Sequence, residues 1–243
     1  MTSLLPHPHP RLERKQLHVW QTRLNQPPDR LPAYLRCLSA DELERAARFH
    51  FADDRRDFVA GRAFLRTVLA RYLGIEAAQV KFAYTRYGKP SIAGPESLRG
   101  LFFNLTHSRQ LALLAVTLEA DVGVDVEYVR SVDDGIAERY FSRSEVAALR
   151  ALPESLQQEA FFNCWTRKEA FIKALGEGLS LALDSFDVSL VPGAPAAILR
   201  TSEGMDQPSK WQIEHLAPAE GYIGAVAIRA PDCSLGIWKL DQP

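Results

Sequence analysis

RRDFVAGRAFLRTVLARYLG occupies residues 55–74. Apolar side chains recur through it at helical spacing, and the run stops at Gly74, the residue type that most easily closes a helix in left-handed backbone. VKFAY at 80–84 then alternates like a strand. The second half of the chain repeats the order. A helix through KEAFIKAL at 168–175 stops at Gly176, and FDVSL at 186–190 follows as a strand. LALLAVTLEAD at 111–121 has a counterpart in YIGAVAIRAPD at 222–232, each an apolar, β-prone run closed by an acid. The shared order of helix, strand and strand predicts an α+β fold of two similar subdomains in one chain, related by pseudo-twofold symmetry. The expected division is a loose lead over 1–15, a first subdomain over 16–120 and a second over 121–243, with a ligand cleft between them. QPPDRLP at 26–32, PGAPA at 192–196 and SEGMDQPS at 202–209 read as turns and loops.

Composition bounds the function. A chain of 243 residues that is 47% hydrophobic and 24% charged has the make-up of a soluble globular protein with a substantial core. No apolar run approaches the ~18 residues needed to cross a membrane, and MTSLLPHPHP lacks the plan of a secretory leader, so a cytoplasmic protein with no membrane partner is expected. A net charge of −1 gives no general attraction to nucleic acid. Cys37, Cys164 and Cys233 are odd in number and far apart, which suits neither a disulfide framework nor a CxxC metal site. His7 and His9 sit in the Pro-rich lead and read as disordered rather than metal-binding. Arg45, Arg48, Arg55, Arg56, Arg62, Arg66 and Arg71 crowd one region, interleaved with acids, as on a solvated face of mixed ion pairs.

Three segments do not fit a plain structural reading. In FFNCWTRKEAFIKALGEGLS at 161–180, Lys168 projects from the middle of the apolar stripe, while Glu169 and Lys173 lie one turn apart on its flank. In DVGVDVEYVR at 121–130, Asp125 and Glu127 fall on one face of a strand. Two carboxylates ~4 Å apart repel by about 4 kcal/mol at an effective dielectric near 20, which a bound Mg²⁺ would relieve; a solvated strand end is the alternative. FNLTHS at 103–108 reads as a short polar break between Phe102 and Phe103 and the strand from Leu111. Its Asn104, Thr106, His107 and Ser108 offer hydrogen-bond donors for a phosphate, or make a turn. RYGKP at 86–90 is a Gly-Lys-Pro turn that places Lys89 on an exposed corner.

FNLTHS, GVDVE at 123–127 and WTRKEAFIK at 165–173, in this order and at these separations, closely resemble the motifs of Sfp-type 4′-phosphopantetheinyl transferases. YGKP at 87–90, FSRSEV at 141–146 and GEGLS at 176–180 extend the resemblance over roughly residues 38–191. It implies an enzyme that moves the 4′-phosphopantetheine arm of coenzyme A to a serine of an apo acyl or peptidyl carrier protein, releasing adenosine 3′,5′-bisphosphate. It also implies the pseudo-twofold pair of subdomains. Carried over by position, Asp125, Glu127 and Glu169 are Mg²⁺ ligands, with Glu169 also the base for the carrier serine. Lys173 stabilises the departing phosphate, and Lys168 reaches phosphate from its place on the stripe. Coenzyme A falls to Asn104, Thr106 and His107, to Arg86, Gly88, Lys89 and Pro90, and to Arg45 with Arg62 for the 3′-phosphate. The resemblance also implies that the stretch from Tyr84 to Tyr87 lines the adenine. Residues 131–152, including Arg139, Tyr140, Phe141 and Arg143, are expected to help dock an acidic carrier, and Ser142 with Glu145 reads as a capping box. Since both halves lie in one chain, a monomer suffices. Two rivals share part of the pattern: a metal-dependent nuclease, disfavoured because DVEYVR lacks the acidic-x-Lys strand, and a non-catalytic module that binds coenzyme A or carrier proteins. The pathway served is not legible.

Overall fold

A computed structural model describes residues 10–133, 135–176 and 181–240. His7, His9 and residues 177–180 of the GEGLS segment lie outside the described residues. The chain is α+β. Its elements run β1 (Gln16–Arg23), α1 (Leu31–Leu35), α2 (Ala40–Ala47), α3 (Ala52–Leu73), β2 (Phe82–Tyr84), β3 (Pro90–Ile92), β4 (Phe102–Ser108), β5 (Leu111–Thr117) and β6 (Val122–Tyr128). Then follow α4 (Ile136–Tyr140), α5 (Arg143–Arg150), α6 (Glu154–Leu175), β7 (Asp187–Val188), β8 (Ile198–Arg200), β9 (Gln212–Leu216), β10 (Tyr222–Ile228) and β11 (Ser234–Lys239). QPPDRLP, expected as a loop, instead forms a 3₁₀ turn at Pro28–Arg30 running into α1, helped by proline in each first turn.

The internal repeat is present in the strand order. One sheet reads β11-β1-β5-β4 and the other β6-β10-β9. In each half an opening strand (β1 or β6) precedes a 22-residue helix (α3 or α6) and a short strand pair (β2/β3 or β7/β8). A final antiparallel hairpin then inserts its last strand, β5 or β10, beside the opening one. Both long helices end at a left-handed glycine, Gly74 with φ 66° and Gly176 with φ 75°. The strand β11 has no counterpart and adds in parallel to the outer edge of β1.

Burial follows from this stacking. In β5, Ala112, Leu114 and Val116 pack toward α3 with Trp20 and Phe64, while Leu111, Leu113 and Ala115 turn to the second sheet. There they meet Val122, Val124 and Val126 of β6 and Val226 of β10. On the far side, Ala225 and Ala227 of β10 pack with Phe171 and Ile172 of α6. The two sheets are thus sandwiched face to face with a long helix outside each, so β5 and β10 are covered on both faces and read as unbroken apolar runs.

One contact fixes how closely α6 approaches its sheet. With Val122, Val124 and Val126 directed into the inter-sheet core, Gly123, Asp125 and Glu127 face α6. A Cβ at Gly123 would overlap the backbone of Ala170, Lys173 and Ala174, so only glycine lets the helix lie directly on β6. Replacing Gly123 with Ala should lower unfolding stability by about 1–3 kcal/mol through overpacking. Denaturant titration with a midpoint equal to wild type would show that α6 has room to move.

Candidate functional site

The close approach sets Lys173 over Asp125. Lys173 Nζ donates to Asp125 Oδ1 at 2.5 Å and to Thr106 Oγ1 at 3.2 Å, and the Thr106 hydroxyl is 3.2 Å from the same carboxylate oxygen. Asp125 belongs to the second half and Thr106 to the first, so the cluster sits where the halves meet. Asp125 is buried, and its Oδ2 has no hydrogen-bond partner among the described residues. Burial pushes its carboxyl up to about 6; Lys173 pulls it down, and the charges of Glu169 and Glu127 push it further up. Glu169 is also raised, first by burial and then by Glu127, against the opposing pull of Lys173. Three carboxylates near one ammonium leave a surplus of negative charge in a partly closed site.

FNLTHS is where the sequence reading needs its first correction. The segment is not a break but most of strand β4, joined to β5 by a tight turn at Arg109 and Gln110. Its polar residues alternate, and Asn104, Thr106 and Ser108 all reach β6. Asn104 Oδ1 accepts the Val124 N–H at 2.9 Å, Thr106 meets Asp125, and Ser108 Oγ donates to Glu127 Oε2 at 3.0 Å while accepting the Tyr128 N–H at 3.1 Å. Asn104 therefore joins the halves through its carbonyl. His107 alternates to the opposite side and is exposed.

Lys168 is the second correction. It is fully buried, with Nζ at 2.7 Å from Glu145 Oε2 and donating to the carbonyls of Leu183 at 2.7 Å and Phe186 at 2.6 Å. Its stripe faces the core, and the ammonium's three hydrogen bonds are all made there instead of extending to solvent. Glu145 is also the N3 member of the expected capping box. Its Oε2 accepts the Ser142 N–H at 2.8 Å, Ser142 Oγ accepts the Glu145 N–H at 3.2 Å, and Oε1 accepts the Val188 N–H at 2.8 Å. One carboxylate thus caps α5, holds β7 and neutralises Lys168.

Other positions shift more modestly. Lys89 leaves its expected exposed corner: Gly88 turns the chain with φ 83°, and Lys89 Nζ folds back to Ala174 O at 2.9 Å and Asp121 Oδ1 at 3.2 Å. It ties the β2–β3 hairpin, which starts its second strand at Pro90, to the end of α6. Arg62 is paired with Glu42 and lies over Phe82, and Glu42 also takes Arg66 Nε at 2.6 Å, so the expected mixed ion pairs account for both arginines. Arg45 is exposed, with its guanidinium 5.1 Å from the Phe58 ring, and Arg86 is exposed beside Tyr87. Phe141 is buried against Phe161, while Arg139 and Arg143 of that segment are exposed, as are Asp133 and the Glu138–Arg150 pair.

The orphaned Asp125 oxygen and the surplus of negative charge suit a hard divalent cation. Among the described residues no three carboxylate, imidazole or thiolate groups form a closed metal cage. Mg²⁺ does not need one, since it is usually held by one or two carboxylates, waters and substrate phosphate. A strand-borne acid, a helix-borne Glu and Lys one turn apart, and hydroxyls from a second half together could serve cation-assisted phosphate chemistry. Residues 121–227 match the family described as 4′-phosphopantetheinyl transferase superfamily, and residues 22–119 match 4′-phosphopantetheinyl transferase, N-terminal. The chain is 41% identical to the 4′-phosphopantetheinyl transferase HetI of Nostoc sp. over 88% of this chain and 87% of that one. It is 31% identical to the 4′-phosphopantetheinyl transferase Sfp of Bacillus subtilis over 82% of this chain and 85% of that one. A human relative, L-aminoadipate-semialdehyde dehydrogenase-phosphopantetheinyl transferase, is 30% identical over 82% and 70% respectively. The chain belongs to the Sfp-type 4′-phosphopantetheinyl transferases.

Separating Lys168 from the chemistry makes a sharp prediction. Lys168→Met strands Glu145 without its counter-charge, and breaking a buried pair from one side costs about 3–5 kcal/mol. Thermal melts should fall steeply while the KM for coenzyme A of the folded fraction stays near wild type. A stable variant with a raised KM would instead place the ammonium at phosphate.

Proposed function

We propose that the chain transfers the 4′-phosphopantetheine arm of coenzyme A to a serine of an apo acyl or peptidyl carrier protein, with Mg²⁺ at Asp125 and Glu169 and with Glu127 beside them. The convergence of Thr106, Asp125 and Lys173 from two halves onto one point is the observation that carries this reading. Bound there, Mg²⁺ supplies charge neutralisation for the diphosphate. Glu169 takes the proton of the carrier serine; burial raises its affinity for a proton above that of an ordinary carboxylate, which suits a general base. The serine oxygen forms the new P–O bond, and the P–O bond to adenosine 3′,5′-bisphosphate breaks. Lys173 is one turn from Glu169 and partly open to solvent, placed to follow the charge onto the departing phosphate.

Coenzyme A contacts are assigned to Thr106 and His107 on β4, to Arg86, Gly88, Lys89 and Pro90 around the hairpin turn, and to Arg45 for the 3′-phosphate. Arg62 is withdrawn as a free cation by its pairing with Glu42. The carrier is assigned to the face beside the metal strand. There a cleft of about 240 Å³ is lined by Glu127, Val132, Ile136, Phe161 and Trp165, with Arg139 and Arg143 exposed nearby to attract an acidic partner. Both halves of the Thr106–Asp125–Lys173 cluster come from one chain, so a monomer is complete. No described helix is long and apolar enough to cross a membrane.

The test is incubation with coenzyme A, Mg²⁺ and purified apo carriers, followed by intact-mass measurement. Wild type should add one phosphopantetheine, and Glu169→Gln should lose transfer at least a thousandfold with its melting temperature retained. Turnover by that variant would remove the assigned base, and no mass shift with any carrier would favour a binding module. The pH dependence of metal binding follows from Asp125. Its folded-state carboxyl is raised to about 6, above the ordinary aspartate range, so it is protonated below that pH and must lose the proton to hold a cation. Metal affinity measured by calorimetry should therefore climb up to tenfold per pH unit below about 6 and flatten above it. The same shift favours folding at low pH, with that contribution lost as pH rises from about 4 through about 6. An affinity independent of pH from 5 to 7 would remove Asp125 from the metal.

A further inference from the structure

Ser108 of β4 has no part in the transfer chemistry assigned above, and its surroundings are specific. Strands β4 and β6 lie at the edges of their respective sheets. Ser108 reaches across to the end of β6, where the Tyr128 N–H donates to its Oγ at 3.1 Å. That leaves the single hydroxyl proton to be directed elsewhere, and the acceptor within reach is Glu127 Oε2 at 3.0 Å. The backbone of β6 therefore sets the hydroxyl rotor, and the rotor sets the carboxylate. One oxygen of Glu127 is hydrogen-bonded to the first half of the molecule, and the same residue lines the cleft beside β6.

We propose that Ser108 is a positioning residue that fixes the Glu127 carboxylate for the metal site, so that metal affinity depends on a hydroxyl from the opposite half. This rests on the reading of Asp125, Glu127 and Glu169 as the cation's surroundings. Hydrogen bonds to the groups around a metal commonly tune its affinity by about 10–100-fold. The dependence is directional: Ser108 acts only through Glu127, and without that carboxylate the hydroxyl has no effect on the metal.

Mn²⁺ binding to the coenzyme A-free protein, followed by electron paramagnetic resonance, tests this without reference to turnover. Ser108→Ala should bind Mn²⁺ about tenfold or more weakly, Ser108→Thr should retain wild-type affinity because it keeps the hydroxyl, and Ser108→Cys should weaken binding at nearly unchanged volume. Should Ser108→Ala fold poorly, the Cys and Thr variants carry the comparison. In a Glu127→Ala background the Ser108 substitutions should change nothing further. Equal Mn²⁺ affinity in wild type, Ser108→Ala and Ser108→Cys overturns the positioning role while leaving the metal reading intact. An undiminished effect of Ser108 in the Glu127→Ala background also overturns it. A wild-type protein that binds no Mn²⁺ either alone or with coenzyme A present brings down the metal reading itself.

Discussion

The backbone of α6 rests on β6 at Gly123, and much else depends on that contact. Ordinary side chains would hold a helix off its sheet, whereas at Gly123 the backbone of Ala170, Lys173 and Ala174 lies where a Cβ would sit. Removing one Cβ lets the strand's next residue on the same face, Asp125, slip under the helix flank that carries Glu169 and Lys173. The valines of β6 meanwhile fasten it to the first sheet from the other side. The acid is thus desolvated by packing, and its raised proton affinity follows from burial before any neighbouring charge is considered. Geometry and electrostatics of the site have one origin.

The seam between the halves is built differently from either half. Where β4 and β6 meet, side chains take the place of a backbone ladder: Asn104 to Val124, Thr106 to Asp125, Ser108 to Glu127 and Tyr128. Edge strands left with bare N–H groups invite unwanted pairing, and this arrangement covers part of both edges with side-chain hydrogen bonds. Lys89 adds a clamp at the C-terminal end of α6, joining the first half's hairpin to the Ala174 carbonyl and to Asp121. Residues assigned to ligand binding are therefore also residues that hold the halves in register.

The parts legible in the sequence were those set by local periodicity. Two helices closed by glycine, two buried apolar strands, the Ser142–Glu145 capping box and the shared face of Asp125 and Glu127 all follow from spacing and have their places in the fold. What escaped was set by partners distant in sequence. FNLTHS looks like a polar break because its alternating hydroxyls and amide face a second subdomain, and buried polar alternation cannot be told from a turn without that partner. Lys89 seems exposed for the same reason, since the helix end that receives it lies far along the chain. Arg62 and Arg66 share Glu42, a residue that a one-dimensional count treats as surface charge.

Lys168 and Lys173 show why periodicity alone could not sort structure from catalysis. They stand on the same helix, each against a buried acid, and differ in what is left over. An ammonium has three N–H donors. Lys168 spends them on Glu145, Leu183 O and Phe186 O, inside a shell with no exposure, so moving any one bond would leave a buried charge unpaired. Lys173 has two partners among the described residues, and 29% of its side chain is open to solvent. Its carboxylate partner keeps an unpaired oxygen. A saturated pair is a fixed strut, whereas an unsaturated pair at a cleft can exchange its partners for a phosphate and a cation at little cost in desolvation. The helix carries both lysines; the completeness of their hydrogen bonding separates the one locked into the fold from the one left with a free donor at the seam.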